Sequence, residues 1–303
     1  MQSNSIKTLI SVVGPTAIGK TAMAIQLAQH FHTEIISSDS RQFFKEMEIG
    51  TAKPSPEELA TAKHHFIDSH SVAKLFSTGD FEQEALKTLE EIYSKRDVAI
   101  MVGGSGLYVN ALLNGLDEMP EIDLAIREEL NKKFEIEGLA AIQLQLAALD
   151  PEYFAKVDQN NPQRMIRGLE VFLSTGKKLS SMLSATKKVR PFKVIKLGLN
   201  TDRAVLYDRI NRRVDLMIEN GLVEEVKSLI PYRSYNALNT VGYSEIFDYL
   251  DGKTNLADAI SAIKQNTRRF AKRQLTWFRR DDEITWFEPN ELNKIITYIK
   301  DKI

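Results

Sequence analysis

The run Thr8-Leu9-Ile10-Ser11-Val12-Val13 is apolar almost throughout, the pattern of a strand covered on both faces. It leads directly into Gly14-Pro15-Thr16-Ala17-Ile18-Gly19-Lys20-Thr21, after which Ala24, Leu27, Ala28 and Phe31 recur at helical spacing and predict a helix from Lys20 to Phe31. Glu34 to Ser37 predicts a short second strand, with Asp39 just past its carboxyl end. Asp80 to Tyr93 is amphipathic at the helical period. Val98 to Val102 is again an apolar strand, opening onto Gly103-Gly104-Ser105-Gly106 and a helix through Leu113. Alternation of this kind predicts a parallel sheet covered by helices. Ligands bind such sheets beyond the carboxyl ends of the strands, so the Gly14 loop, Asp39 and the Gly103 loop are expected along one edge.

The period changes after Gly115. From Ile122 to about Ser184 the pattern is helical without a convincing strand. Leu124, Leu130 and Phe134 mark one helix, and Leu139, Ile142 and Leu146 mark the next. Asn161-Pro162 reads as an N-cap followed by proline at the first helical position. The helix that follows carries Gln163, Arg164 and Arg167 on neighbouring surface and Met165, Leu169 and Phe172 as expected core. Strand character returns at Lys193 to Leu199. Helices are predicted from Asp202 to Asn220-Gly221, from Lys264 to Phe278 and from Asn290 onward, with a last strand at Ile284 to Phe287. The expected fold class is therefore α/β, a P-loop NTPase-like parallel sheet core (1–115 and 191–303) with a helical insertion domain at 116–190.

Composition narrows the function classes. With 303 residues, 43% apolar, 27% charged, a net charge of −1 and no cysteine, the chain has the make-up of a globular protein. It has no thiolate chemistry of any kind. No apolar run approaches the roughly 18 residues of a membrane span. Met1 to Lys7 is polar and lacks a signal-peptide pattern, so a cytoplasmic location is expected. The balanced charge hides a basic segment: Lys264, Arg268, Arg269, Lys272, Arg273, Arg279 and Arg280 follow one another without an intervening acid. Like charges at helical spacing repel, so an unmixed face points to contact with phosphates. Phe270 and Trp277 are expected on another side of that helix.

Gly14 to Thr21 fits the pattern G-x-x-x-x-G-K-[ST] in its required setting between strand and helix. Its backbone N–H groups and the helix N-terminus would hold phosphate oxygens, Lys20 would neutralise their charge, and the Thr21 hydroxyl would ligate Mg²⁺. A kinase or hydrolase would supply a second metal-holding Asp at the end of a core strand, but the strand Val98 to Val102 ends in Gly103-Gly104. Asp39 is thus a metal ligand, a base aimed at an acceptor, or a turn-capping residue in Ser37-Ser38-Asp39-Ser40. Arg209 and Arg213, four residues apart, share a helix face and either clamp a diphosphate or solvate the helix. His30, His32, His64, His65 and His70 lack metal-ligand spacing and read as structural.

Taken in order, these segments resemble the tRNA dimethylallyltransferases, also called tRNA isopentenyltransferases. The resemblance runs nearly end to end. It rests on Gly14 to Thr21, Ser38-Asp39-Ser40-Arg41-Gln42, Gly50-Thr51-Ala52-Lys53-Pro54, Gly103-Gly104-Ser105-Gly106-Leu107-Tyr108, Asn161-Pro162-Gln163-Arg164, Val241-Gly242-Tyr243 and Ala271-Lys272-Arg273-Gln274-Leu275-Thr276-Trp277. It implies transfer of a dimethylallyl group from dimethylallyl diphosphate to N6 of adenosine 37, beside the anticodon of tRNAs that read codons beginning with U. The phosphate loop would then hold the prenyl diphosphate in place of ATP, with Mg²⁺ as cofactor. Asp39 matches the family's general base, Ser105 a usual Thr near the reacting groups, and Arg209 a residue facing the leaving group. The resemblance also implies tRNA contacts at Asp39, Ser40, Arg41, Gln42, Ser105, Arg127, Gln163, Arg164, Met165, Ile166, Arg167, Thr240, Gly242, Tyr243, Lys272, Arg273, Thr276 and Trp277. A monomer is expected. Three departures from the family pattern stand out: Phe43-Phe44 for Val-Tyr, which removes a hydroxyl near Asp39, Ser105 for Thr, and Ile18 for a frequent Ser. Competing readings are a P-loop small-molecule kinase, an isopentenyltransferase of free adenine nucleotides, and an ATP-gated RNA-binding module.

Overall fold

The computed structural model describes residues 6–117, 119–184 and 187–303, so the polar start Met1 to Ser5 lies outside the described residues. In chain order the first elements are β1 (Thr8–Val13), α1 (Lys20–Phe31), β2 (Ile35–Ser37), α2 (Pro56–Thr61), β3 (His64–His65), α3 (Thr78–Tyr93), β4 (Val98–Gly103) and α4 (Gly106–Asn114). Five helices follow: α5 (Leu124–Glu137), α6 (Leu139–Leu149), α7 (Pro151–Lys156), α8 (Pro162–Thr175) and α9 (Leu179–Met182). The chain closes with β5 (Lys193–Leu199), α10 (Arg203–Glu219), α11 (Leu222–Ser228), α12 (Tyr243–Leu250), α13 (Leu256–Phe278), β6 (Thr285–Phe287) and α14 (Leu292–Lys300). These elements form two compact units, one made of 1–114 with 189–303 and the other of 115–188.

The first unit is built on a six-stranded, all-parallel sheet in the order β3-β2-β4-β1-β5-β6. Every residue of β1 and β4 is buried. Along β1, Leu9 and Val13 enter one apolar cluster and Ile10 and Val12 the other, so both faces are covered by packed side chains. This is why the sequence run is continuous and not alternating. Register sets the working edge. Val13 pairs with both Gly103 and Gly198, and Ser37 pairs with Val102, so the loops after β1, β2, β4 and β5 emerge side by side.

Arg190 closes the point at which the chain leaves this unit and returns. Its Nε donates to Leu112 O at 2.9 Å and its Nη2 to Ala111 O at 2.7 Å and to Glu82 Oε1 at 2.6 Å.

The second unit packs on its own apolar cluster of Leu130, Ile142, Leu146, Met165, Ile166 and Leu169. Asn161 caps α8 as expected, its Oδ1 accepting the Arg164 N–H at 3.2 Å, with Pro162 at the first helical position. Phe172, expected in the core, is only half-buried; Ile166 and Val171 take the buried positions of α8.

Other differences are local. The two-residue edge strand β3 was too short to carry a period. The helix expected to start at Lys264 starts at Leu256, capped by Asn255 Oδ1 accepting the Asp258 N–H at 2.9 Å.

Candidate active site

The phosphate loop bridges β1 and α1, with Gly19 capping the helix at φ 104°. Ala17 is held at φ 64°, a left-handed conformation that side chains resist, and it stands in the middle of the loop. Arg209 and Arg213 both reach the loop from α10: Arg209 Nη1 donates to Ile18 O at 3.2 Å, and Arg213 Nη1 to Thr16 Oγ1 at 3.4 Å. Both side chains are thus directed to the phosphate loop. Lys20 Nζ donates to Pro15 O at 2.7 Å and is enclosed by the loop. Burial pushes its ammonium down to about 7, partly offset by the negative charge of Asp39 and reinforced by the positive charge of Arg213. An anion entering the loop would reverse that shift.

Asp39 lies in the turn after β2. Its Oδ1 accepts the N–H groups of Arg41 at 2.9 Å and Gln42 at 3.4 Å, so the turn-capping role is real. One oxygen serves the turn, and Oδ2 has no hydrogen-bond partner among the described residues. The neighbouring loop is tied across the sheet edge: Ser105 Oγ accepts the Ser40 N–H at 3.0 Å and donates to Ser40 Oγ at 3.0 Å. Gln42 is consumed internally, its Nε2 donating to Thr51 O at 3.2 Å and Ala52 O at 3.0 Å. Phe44, in place of Tyr, is buried next to Phe43 in an aromatic cluster with Phe76, Phe81 and Tyr108.

A cavity of about 270 Å³ opens beside these groups, lined among others by Ser40, Ser105, Phe270, Arg273, Gln274 and Trp277. This corrects the expected sidedness of α13. Phe270, Arg273 and Trp277 share one stripe, and the Arg273 guanidinium lies 5.7 Å from the Phe270 ring centre. The cationic face is also narrower than the sequence suggested. Lys264 pairs with Asp215 at 2.5 Å, and Arg268 Nη1 donates to Asn211 Oδ1 at 2.6 Å, which pins both to α10. Lys272 and Thr276 line a separate cavity of about 330 Å³ with Arg203, Tyr207 and Arg279.

Sequence reasoning missed Gln274 as a site residue. It is 7% exposed, and its Oε1 accepts the Thr16 N–H at 2.8 Å while Nε2 donates to Gly104 O at 2.9 Å. One side chain thus joins the phosphate loop to the Gly103 loop. A β-carbon at Gly104 would fall 2.2 Å from Gln274 Nε2 and would push the amide off this bridge. A polar residue between apolar positions of a basic helix was the available signal.

Several residues expected to touch RNA are also engaged within the protein. Met165 and Ile166 are buried in the core of their own unit, and Gly242 and Tyr243 are buried too. The side chains of Met165, Ile166 and Tyr243 pack inward because the period of α8 and the start of α12 turn them that way. Arg127 and Arg167 both bind the buried Glu170 carboxylate: Arg127 Nη2 donates to Oε2 at 3.0 Å, and Arg167 Nη1 to Oε2 at 3.5 Å. Gln163 and Arg164 are exposed, and Thr240 is half-buried.

No three His, Asp or Glu side chains group as a metal cage among the described residues. The Thr21 hydroxyl, at the start of α1 beside the loop, is a hard oxygen donor. It is the kind of donor that would suit a Mg²⁺ ion.

The matching family model is that of the IPP transferases, over residues 42–281. The chain is 57% identical to the tRNA dimethylallyltransferase of Christiangramia forsetii over 97% of its own length and 98% of that protein's. With the same enzyme of Flavobacterium johnsoniae the identity is 52%, over 98% and 99%. The chain belongs to the IPP transferase family. Among solved structures, the full-length tRNA isopentenylpyrophosphate transferase of Bacillus halodurans superimposes with a TM-score of 0.73 at 38% identity, covering 98% of this chain and 96% of that one. A eukaryotic dimethylallyltransferase acting on tRNA superimposes with a TM-score of 0.78 at 28% identity, covering 98% of this chain and 77% of that one. The IPP transferase model starts after Asp39, whereas the whole-length relatives also span the phosphate loop.

Proposed function

We propose that this site transfers the dimethylallyl group of dimethylallyl diphosphate to N6 of adenosine 37 in tRNAs that read codons beginning with U. The products are N6-(dimethylallyl)adenosine and diphosphate. Family membership makes the protein a tRNA-prenylating transferase, and the choice of base and position follows the family. The observation that carries the reading is the shared sheet edge: Val13 pairs with Gly103 and Ser37 with Val102, so the phosphate loop and the Asp39 turn emerge together, and Asp39 keeps Oδ2 without a hydrogen-bond partner among the described residues.

The adenine amino group is a weak nucleophile because its lone pair is delocalised into the ring. Reaction needs two kinds of help. The C1–oxygen bond of the prenyl group breaks with its electron pair leaving on the diphosphate, and Lys20, Arg209, Arg213 and the loop N–H groups stabilise that charge. The N6–C1 bond forms, and the surplus proton passes from N6 to Asp39 Oδ2. A Mg²⁺ ion held by Thr21 would add positive charge at the diphosphate. Phe270 and Trp277 offer stacking surfaces for an unstacked base in the cavity, with Arg273 and Lys272 nearby for backbone phosphates. An anticodon loop, being single-stranded, gives up a base cheaply.

Cytoplasmic location and a monomeric state belong to the same reading; among the described residues no helix is long and apolar enough to cross a membrane. The test is incubation with radiolabelled dimethylallyl diphosphate, Mg²⁺ and unmodified tRNA. Label is expected on tRNA carrying A36-A37. Transfer confined to AMP or ADP, or phosphorylation of a small molecule from ATP, overturns the proposal.

A further inference from the structure

Two sequence motifs, Gly50-Thr51-Ala52-Lys53-Pro54 and Val241-Gly242-Tyr243, supply no group to the reaction above. They meet at one carboxylate. Glu225, in α11, accepts the N–H groups of Ile49 at 2.6 Å, Gly50 at 3.2 Å and Glu48 at 3.3 Å, and the Tyr243 hydroxyl at 2.5 Å. Those amides form the open end of the single 3₁₀ turn Ile49–Thr51, where a negative charge is favoured. The Tyr243 ring is fully buried against Gly50, where a β-carbon would fall 2.5 Å from Cε2, so the turn can approach only as glycine.

The other end of the turn is tied to the Asp39 loop through Gln42. Carbonyls of Thr51 and Ala52 accept from Gln42 Nε2, and the Gln42 N–H reaches Asp39 Oδ1. Lys53 Nζ adds a second tie by donating to Phe44 O at 2.7 Å while paired with Asp68. Residues 38–45 are also anchored by backbone bonds, Ser38 N–H to Val102 O at 2.8 Å and Phe44 bridging to His70, but apart from its own turn the 47–55 stretch has no strand pairing, so the side-chain ties decide how it sits against Gln42.

We propose that Glu225, with Tyr243, is a positioning residue for prenyl transfer: it locks the 48–52 turn, which grips Gln42 and so fixes where the Asp39 carboxylate stands. The inference rests on the reading of Asp39 as the proton acceptor. It replaces the role implied for Tyr243 by resemblance, that of a tRNA contact.

The test uses the full-length protein and the variants Tyr243→Phe and Glu225→Gln, with Glu224→Gln, an exposed neighbour, as control. Steady-state transfer, filter binding of tRNA, kcat against pH and thermal unfolding are measured for each. Because a misplacement of about 1 Å can cost roughly a hundredfold, kcat is expected to fall about 10- to 100-fold while KM for dimethylallyl diphosphate and Kd for tRNA stay within about twofold. The acid limb of the kcat profile should move in both variants and not in the control. A protein merely made less stable would lose active fraction without moving that limb. If Glu225→Gln fails to fold, Tyr243→Phe decides alone, since it keeps the ring on Gly50. Unchanged kcat in a folded Tyr243→Phe overturns the inference. A raised tRNA Kd with kcat unchanged overturns it in favour of direct RNA contact. Wild-type protein that transfers no label defeats instead the reading on which the inference depends.

Discussion

Replacing Gln274 by Met keeps the length of the side chain and removes both of its hydrogen bonds, leaving the Thr16 N–H and the Gly104 carbonyl without a partner. Each was paired at under 3 Å by a side chain only 7% exposed. A buried polar group left unpaired costs about 1–3 kcal/mol, so the two together set an upper bound near 6 kcal/mol. Thr16 borders the phosphate-binding space, where water can reach its N–H, so the expected loss is about 2–3 kcal/mol and arises mostly at Gly104. Urea unfolding at neutral pH would show it as a lowered midpoint at constant m-value. The kinetic consequence is separate. With the two loops uncoupled, kcat/KM for dimethylallyl diphosphate is expected to fall about 10- to 100-fold, because loop placement governs the geometry of attack. Gln274→Glu provides an internal comparison: it retains an acceptor for Thr16 but turns a carboxylate towards Gly104 O, and should be at least as damaging. Loss below about 0.5 kcal/mol, the ordinary size of a surface effect, together with unchanged kcat/KM would refute the bridge.

Asp39→Asn keeps an oxygen for the Arg41 N–H and so preserves the turn; turnover should drop about 10²- to 10⁴-fold with tRNA binding retained, and undiminished turnover would remove Asp39 as the base. Lys20, pushed down to about 7 in the free protein, must gain its proton when the diphosphate arrives. The complex then binds more protons than the free protein above pH 7, so affinity should weaken as pH rises from 7 to 9. Calorimetry at pH 8 in buffers of different ionisation enthalpy should register net proton uptake, and zero uptake would contradict the shift. Neutralising Lys272 and Arg273 together should weaken tRNA binding and lower its salt slope by about two, and an unchanged slope would mean that neither meets RNA phosphates.

The sheet, its working edge and the phosphate loop were legible because each follows from a local rule: continuous apolar runs for covered strands, a fixed glycine spacing, and loops that leave a parallel sheet at one end. The outward-facing part of α13 was misjudged. Seven cations without an acid look like one face, but Asp215 and Asn211 on α10 take up Lys264 and Arg268, and partners so distant in sequence leave no mark on the helix's own pattern. Arg127 was read from family correspondence, and its ion pair with the buried Glu170 leaves no mark in the sequence. Gln274 and Glu225 escaped for a related reason. Both work by satisfying backbone groups far away in the chain, and a backbone amide looks the same in every sequence.

Arg190 bears on how a chain can carry a second unit in its middle. By binding the carbonyls of Ala111 and Leu112, it fastens the returning segment to the departing one within the sheet unit itself. The ends of the excursion are therefore held by the host and need not be held by the guest. Closing a loop costs entropy that grows only slowly with length, so once the ends are fixed, a short connection and a long one differ little in stability. The segment between the fastened ends is free to lengthen, shorten or be replaced in evolution without the sheet registering the change, and a brief glycine-serine bridge across 114 and 189 should leave a folded core. The two units can in this way vary on separate schedules.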